Sequence, residues 1–143
     1  MSFKIYVSDG KYEKYEYFDS VKLETCEKQP SINPVENKLF NQDVFVLEGN
    51  NVKLLHSSVR CVKCLPGVLV LEGDKKYGKY KNKFLYKCIP DDKRLPFFLV
   101  PYENKKREFS KINHNKYITF KFLNWDNDFP NGVRSEEHTS ELQ

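Results

Sequence analysis

Short apolar runs, several alternating with polar residues, recur along most of the chain. Phe3-Lys4-Ile5-Tyr6-Val7, Asp43-Val44-Phe45-Val46-Leu47 and Val52-Lys53-Leu54-Leu55 are rich in β-branched and aromatic residues. So are Gly67-Val68-Leu69-Val70-Leu71, Phe84-Leu85-Tyr86-Lys87-Cys88-Ile89 and Phe97-Phe98-Leu99-Val100, and Tyr117-Ile118-Thr119-Phe120-Lys121-Phe122 alternates cleanly. Such runs predict strands, because successive side chains on a pleated strand point to opposite faces. The stretches between them are turn chemistry: Glu48-Gly49-Asn50-Asn51, Glu72-Gly73-Asp74, Pro90-Asp91-Asp92 and Asn113-His114-Asn115. One short helix is predicted over Pro34–Phe40, with Asn33 as N-cap and Pro34 at the first helical position. From Lys11 to Glu27 the pattern is charged and aromatic without clean alternation, so the strand order there is not legible.

Short strands at close spacing predict an all-β sandwich or small barrel. The chain has 143 residues and Cys64-Leu65-Pro66-Gly67 punctuates it near the middle, which predicts two small β-barrels in tandem, over 1–65 and 66–133. The last ten residues, RSEEHTSELQ, break the pattern: every aromatic residue lies before them, and Leu142 is their one large apolar side chain. Back-translated, they match one reading frame of a common sequencing-library adapter. They are expected to be an artefactual or disordered tail, 134–143, that stays off the barrels.

Composition and charge narrow the function classes. Aromatic residues make up 15% and charged residues 31%, which excludes a disordered chain. No apolar run reaches the roughly 18 residues of a membrane span, and the N-terminus lacks a signal-peptide pattern. The expectation is an intracellular protein, cytoplasmic or nuclear, with no membrane partner. Net charge is +4, and +6 once Arg134, Glu136, Glu137 and Glu141 are set aside, favouring polyanionic partners. Cys61-Val62-Lys63-Cys64 has zinc-knuckle spacing, but Cys26 and Cys88 are solitary, so ordinary reduced thiols are expected and no metal site. His56, His114 and His138 have no paired nucleophile, and no catalytic residue is assigned. Asp91-Asp92 and Asp126/Asp128 read as turn formers rather than magnesium ligands, which converge in larger numbers.

The chemistry is concentrated in KKYGKYKNKFLYK, Lys75 to Lys87, with six Lys and four aromatic residues. Single-stranded nucleic acid suits this mixture, because ammonium groups follow phosphates while flat rings stack on bases. In five-stranded OB-type barrels the binding face and its loops carry such groups. The alternative is a solvated basic hairpin whose Phe84, Leu85 or Tyr86 partly enters the core.

An ordered set of motifs runs from Pro66 to Gly132: P-G-V-L at 66–69, Y-G at 77–78, L-Y at 85–86, P-D-D-K-R-L-P at 90–96, N-K-Y-I at 115–118 and W-D-N-D-F-P-N-G at 125–132. It resembles the second cold-shock domain of the RNase II/RNase R family of exoribonucleases, near the exosome's catalytic subunit and its homologues in large DNA viruses. K-L-F-N-Q-D-V-F-V at 38–46 and S-S-V-R at 57–60 resemble, less specifically, the end of a preceding cold-shock domain. The resemblance implies tandem OB-fold/cold-shock β-barrels that guide single-stranded RNA into a nuclease domain with clustered Asp and Mg. That domain is expected to follow Gly132 in cis and is absent here, so no cofactor is expected in this chain; an exosome-like complex is a possible partner. Carried onto this sequence, Lys76, Lys79, Lys81, Lys83, Lys93 and Arg94 would contact the RNA backbone, and Tyr77, Tyr80 or Tyr86 would stack. Arg94 sits at the Arg of the family's P-x-D-x-R-x-P turn, where bracing the barrel is an equal alternative. Rival readings are a stand-alone cold-shock-type RNA chaperone, a structural or protein-interaction barrel, and, more distantly, a zinc-bound module.

Overall fold

A computed structural model describes residues 1–103 and 114–141, with side chains described through Ser135. The expected turn residue Asn113, Leu142 and Gln143 lie outside the described residues. The chain is all-β and divides into two units, Met1–Cys61 with Asp92–Leu95, and Val62–Asp91 with Pro96–Gln143. The main division therefore falls four residues before the expected one, and a short excursion from the second half belongs to the first unit.

The first unit holds β1 (Ser2–Val7), β2 (Tyr15–Asp19), β3 (Val44–Glu48) and β4 (Asn51–His56), in one antiparallel sheet of order β2-β1-β3-β4. Alternation in β1 buries Ile5 and Val7, and Tyr17 of β2 and Phe45 of β3 are buried as well. The rings of Tyr17 and Phe45 meet edge-on, with centroids 5.7 Å apart. The predicted helix after Asn33 is a single turn. Asn33 Oδ1 does accept from the N–H groups of Val35 and Glu36, as an N-cap should, but Lys38 takes a positive φ of 56° and ends the turn. The one α-helix among the described residues is α1 (Ser58–Cys61), which the sequence pattern did not announce.

α1 serves a buried charge. Asp43 is fully buried, its Oδ2 accepting from the Phe40 N–H at 2.8 Å and from Arg60 Nη1 at 3.3 Å. Arg60 also donates to the Lys38 carbonyl at 2.8 Å and lies over the Phe40 ring. Burial pushes the Asp43 carboxyl up to about 6, while Ser57, the Phe40 N–H, Arg60 and His56 pull against that rise. The unfolded chain ionises Asp43 near pH 4. Between pH 4 and 6 the folded form therefore holds the extra proton, and stability falls as pH rises through that window. Urea titrations at pH 4 and pH 6.5 check this: the decline should shrink in Asp43→Asn, and an unchanged slope would refute the assignment.

The second unit is a closed five-stranded barrel. It comprises β5 (Leu65–Leu69), β6 (Lys79–Tyr80), β7 (Lys83–Pro90), β8 (Phe98–Tyr102), β9 (Lys116–Asn124) and β10 (Asn131–Glu141). Around the barrel the order is β5-β7-β8-β10-β9 and back to β5, with β6 appended to β7 as a hairpin. All barrel pairs are antiparallel except β8–β10, which meet in parallel at Leu99 and Asn131. That Greek-key order is the OB arrangement. The core is built from Leu69, Cys88, Phe98, Val100, Ile118 and Phe120, each 3% exposed or less. Gly67 and Gly132 let backbones close over Phe120. A Cβ on Gly67 would stand 2.8 Å from the Ile89 carbonyl and 3.0 Å from Phe120, and one on Gly132 would stand 3.0 Å from Phe120.

The first unit carries the same cyclic run. Its order β2-β1-β3-β4 matches β7-β5-β9-β10, strand for strand along the chain. The position of a third strand is reduced to one bridge, Phe18 to Thr25, where Gln29 exchanges hydrogen bonds with the Tyr17 backbone. The expected tandem of all-β units is thus present, with the first one an open sheet.

Residues 134–141 behave differently from expectation in their main chain. Strand β10 continues through Arg134 to Glu141, pairing again with β9 at Thr139–Ile118 after an irregularity. The Arg134 guanidinium lies over the Tyr102 ring at 5.1 Å. Ladder pairing uses backbone N–H and C=O groups, so a change of side-chain composition does not by itself end a strand.

Candidate nucleic-acid interface

Two connections of the barrel and the strands that flank them converge on one groove of about 480 Å³. One wall is the β5–β7 connection with Tyr77, Lys79 and Tyr80, and the opposite wall is the β9–β10 loop with Asp126, Asn127, Asp128 and Phe129. Leu85 of β7 with Leu99 and Pro101 of β8 also line it. In an OB barrel these are the positions that bind oligonucleotides and oligosaccharides.

Local chemistry holds each wall. Asn115 Oδ1 accepts from the Leu71 and Glu72 N–H groups at 2.8 and 3.0 Å, anchoring the start of the β5–β7 connection. The Tyr77 N–H donates to the Leu85 carbonyl and the Leu85 N–H to the Gly78 carbonyl, both at 2.8 Å, where Gly78 takes a φ of 116°. The β6–β7 hairpin turns at Lys81-Asn82, both with positive φ, as a two-residue type I′ turn requires. On the other wall, Leu99 N–H donates to the Pro130 carbonyl and Asn131 Nδ2 donates to Asn124 Oδ1, fastening the loop ends.

The rings form a run. Phe97 stacks on Phe129 with centroids 4.5 Å apart and planes at 28°, and Tyr77 lies 6.0 Å from Phe97. Lys87 Nζ lies 4.7 Å from the Phe97 centroid and Lys75 Nζ lies 5.1 Å from that of Tyr77. Lys76 and Lys79 both lie near the Phe84 ring, at 4.9 and 4.8 Å. A Lys held over a ring stays close enough to meet a phosphate while the remaining ring face takes a base.

The sequence-derived residues do not all converge. Tyr77, Lys79 and Tyr80 line the groove, and Lys81 and Lys83 are exposed at the hairpin beside it. Lys76 is exposed but ion-paired with Asp74 at 2.8 Å, an interaction that raises the lysine pKa and lowers that of the carboxyl. Tyr86 is corrected as a stacking residue. It is 6% exposed, its hydroxyl donates to Asp74 Oδ1, and burial pushes its phenol pKa up. Alternation along β7 turns Tyr86 and Cys88 inward. Lys93 and Arg94 belong to the first unit and do not line the groove. The Lys93 carbonyl accepts from the Gly10 N–H, and Arg94 makes two side-chain bonds to Asp92 within the same turn.

Phe129, Asp126 and Asp128 were missed as groove residues, and Phe97 as the ring stacked on Phe129. The signal for three of them was the Asp-Asn-Asp-Phe-Pro-Asn turn following a clean alternating strand, which is where a five-stranded barrel places its second binding loop.

Cys26 and Cys88 are buried and Cys61 and Cys64 exposed. Among the described residues no group of three or more His, Cys, Asp or Glu side chains is arranged to hold a metal ion. No described helix is long and apolar enough to cross a membrane. No protein-family model matches the chain, and no curated protein matches it.

Proposed function

We propose that the second barrel holds single-stranded RNA in the groove between the β5–β7 connection and the β9–β10 loop. The supporting observation is an OB groove lined by Tyr77, Lys79 and Phe129, with Phe97 stacked on Phe129 and with Lys75 and Lys87 lying over the rings of Tyr77 and Phe97. Rings at this spacing offer faces to unstacked bases, and the lysines offer charge to the phosphates that follow them. Lys81 and Lys83 extend that charge along the hairpin. In this reading the chain guides RNA toward the catalytic domain of an RNase II/RNase R-type 3′–5′ exoribonuclease, and that domain lies outside the chain. The chain's own part is to hold the strand, keep it unpaired and orient it.

Binding should weaken with salt. If four lysines, Lys75, Lys79, Lys81 and Lys83, meet phosphates, log K plotted against log salt falls with a slope of about −3 for single strands. Fluorescence anisotropy with a labelled single-stranded octamer measures it. A flat plot, or equal affinity for duplex RNA, would refute a stacking groove for single strands. The exoribonuclease part has a separate test, a long read of the native transcript across the Val133 codon. An in-frame continuation into an acidic nuclease motif supports it. A stop codon there leaves a stand-alone RNA-holding barrel of chaperone type.

A further inference from the structure

The two walls of the groove differ in sign. The β5–β7 wall presents Lys79 beside Tyr80, and the β9–β10 wall presents Asp126 and Asp128 on either side of Asn127. A strand in such a groove has one orientation without charge repulsion: phosphates along the lysine wall and base edges toward the carboxylates. An ionised carboxylate only accepts hydrogen bonds, through two oxygens set side by side. The bases differ in what they can donate. Guanine offers two adjacent donors on its Watson–Crick edge, N1–H and N2–H₂, which match a carboxylate as a pair. Cytosine and adenine each offer one amino group, and uracil offers a single N–H flanked by carbonyl oxygens that a carboxylate repels.

We propose that this groove reads base identity, with Asp126 and Asp128 on the β9–β10 loop selecting guanine over uracil while Phe129 supports the ring; this rests on the binding of single strands proposed above. The loop is fit to hold a carboxylate in place, since the Pro130 carbonyl and the Asn124–Asn131 pair fasten its ends to the barrel. Phe129 is 37% exposed, so its ring keeps an accessible surface beyond its stack on Phe97. Lys79 faces the groove from the other wall and sets the backbone side.

The test uses the whole chain and three labelled RNA octamers: all-uridine, all-adenosine, and all-uridine with one central guanosine. Anisotropy titrations at a single salt concentration should give the guanosine octamer at least roughly tenfold tighter binding than all-uridine. The preference should be lost in Asp126→Asn with Asp128→Asn, while all-uridine affinity stays the same or rises. Retained all-uridine binding shows that the double variant is folded. Equal affinities of the wild-type chain for all octamers would overturn base selection and leave RNA binding standing. A guanosine preference that survives in the double variant would overturn the carboxylate assignment. No binding to any octamer would overturn both the selection and the RNA reading beneath it.

Discussion

Replacing Tyr77 and Phe129 together by Ala is expected to weaken binding of a single-stranded RNA octamer by roughly 30-fold or more, from about 1–3 kcal/mol of stacking lost per ring. The salt slope should stay near its wild-type value, because no lysine is removed. That combination separates stacking from charge. Lys75 loses the ring it lies over when Tyr77 goes, and Phe97 loses its stacked neighbour when Phe129 goes, yet neither change touches the buried Phe98–Phe120 pair. The fold should therefore persist, which far-UV circular dichroism checks. Anisotropy titration reads the affinity. An unchanged affinity would mean that the basic hairpin acts through charge alone and suits an acidic protein surface as well as RNA.

The largest effect on stability is expected at Phe120. This ring is 0% exposed, meets Phe98 edge-on at 5.0 Å, and fills the space left by the missing side chains of Gly67 and Gly132. It sits on β9, which pairs with both β5 and β10. Phe120→Ala should cost about 3–5 kcal/mol, against the roughly 5–15 kcal/mol by which domains are stable. The cavity cannot collapse easily, because the two glycines contribute backbone, which moves less readily than side chains. Urea denaturation should show a much lower midpoint for the variant. A loss under about 1 kcal/mol would mean that the barrel repacks and that the two glycines are not positioned by this ring.

Much of the framework was legible in the chain. All seven predicted runs lie wholly or mostly on strands, because each mixes β-branched and aromatic residues between turn residues. β2 was missed: in Tyr15-Glu16-Tyr17-Phe18-Asp19 only Tyr17 is buried, so its pattern carries little polarity contrast. β6 escaped notice because two residues are too few for periodicity, and β10 because its partners, not its composition, make it a strand. The Pro34 helix stopped at one turn although its cap formed, since a cap satisfies donors but does not supply an apolar face long enough to pack.

The candidate site was half visible. Tyr77, Lys79 and Tyr80 could be read from the Lys–aromatic run, and they line the groove. Tyr86 belongs to the same run, and only the register of β7 decided that it faces inward. Arg94 stood in a suggestive turn, and its side chain bonds Asp92 two residues away in the same turn.

The sequence by itself determined the all-β class, the positions of most strands and the chemical inventory of the β5–β7 connection, because alternation, turn residues and local charge are properties of neighbours in the chain. Only the tertiary structure decided that β5 closes on β7, that β8 and β10 run in parallel, and that the Asp126–Phe129 loop stands across from Tyr77 and Lys79. Those arrangements depend on main-chain pairing and ring packing between residues far apart in sequence, which no local pattern records.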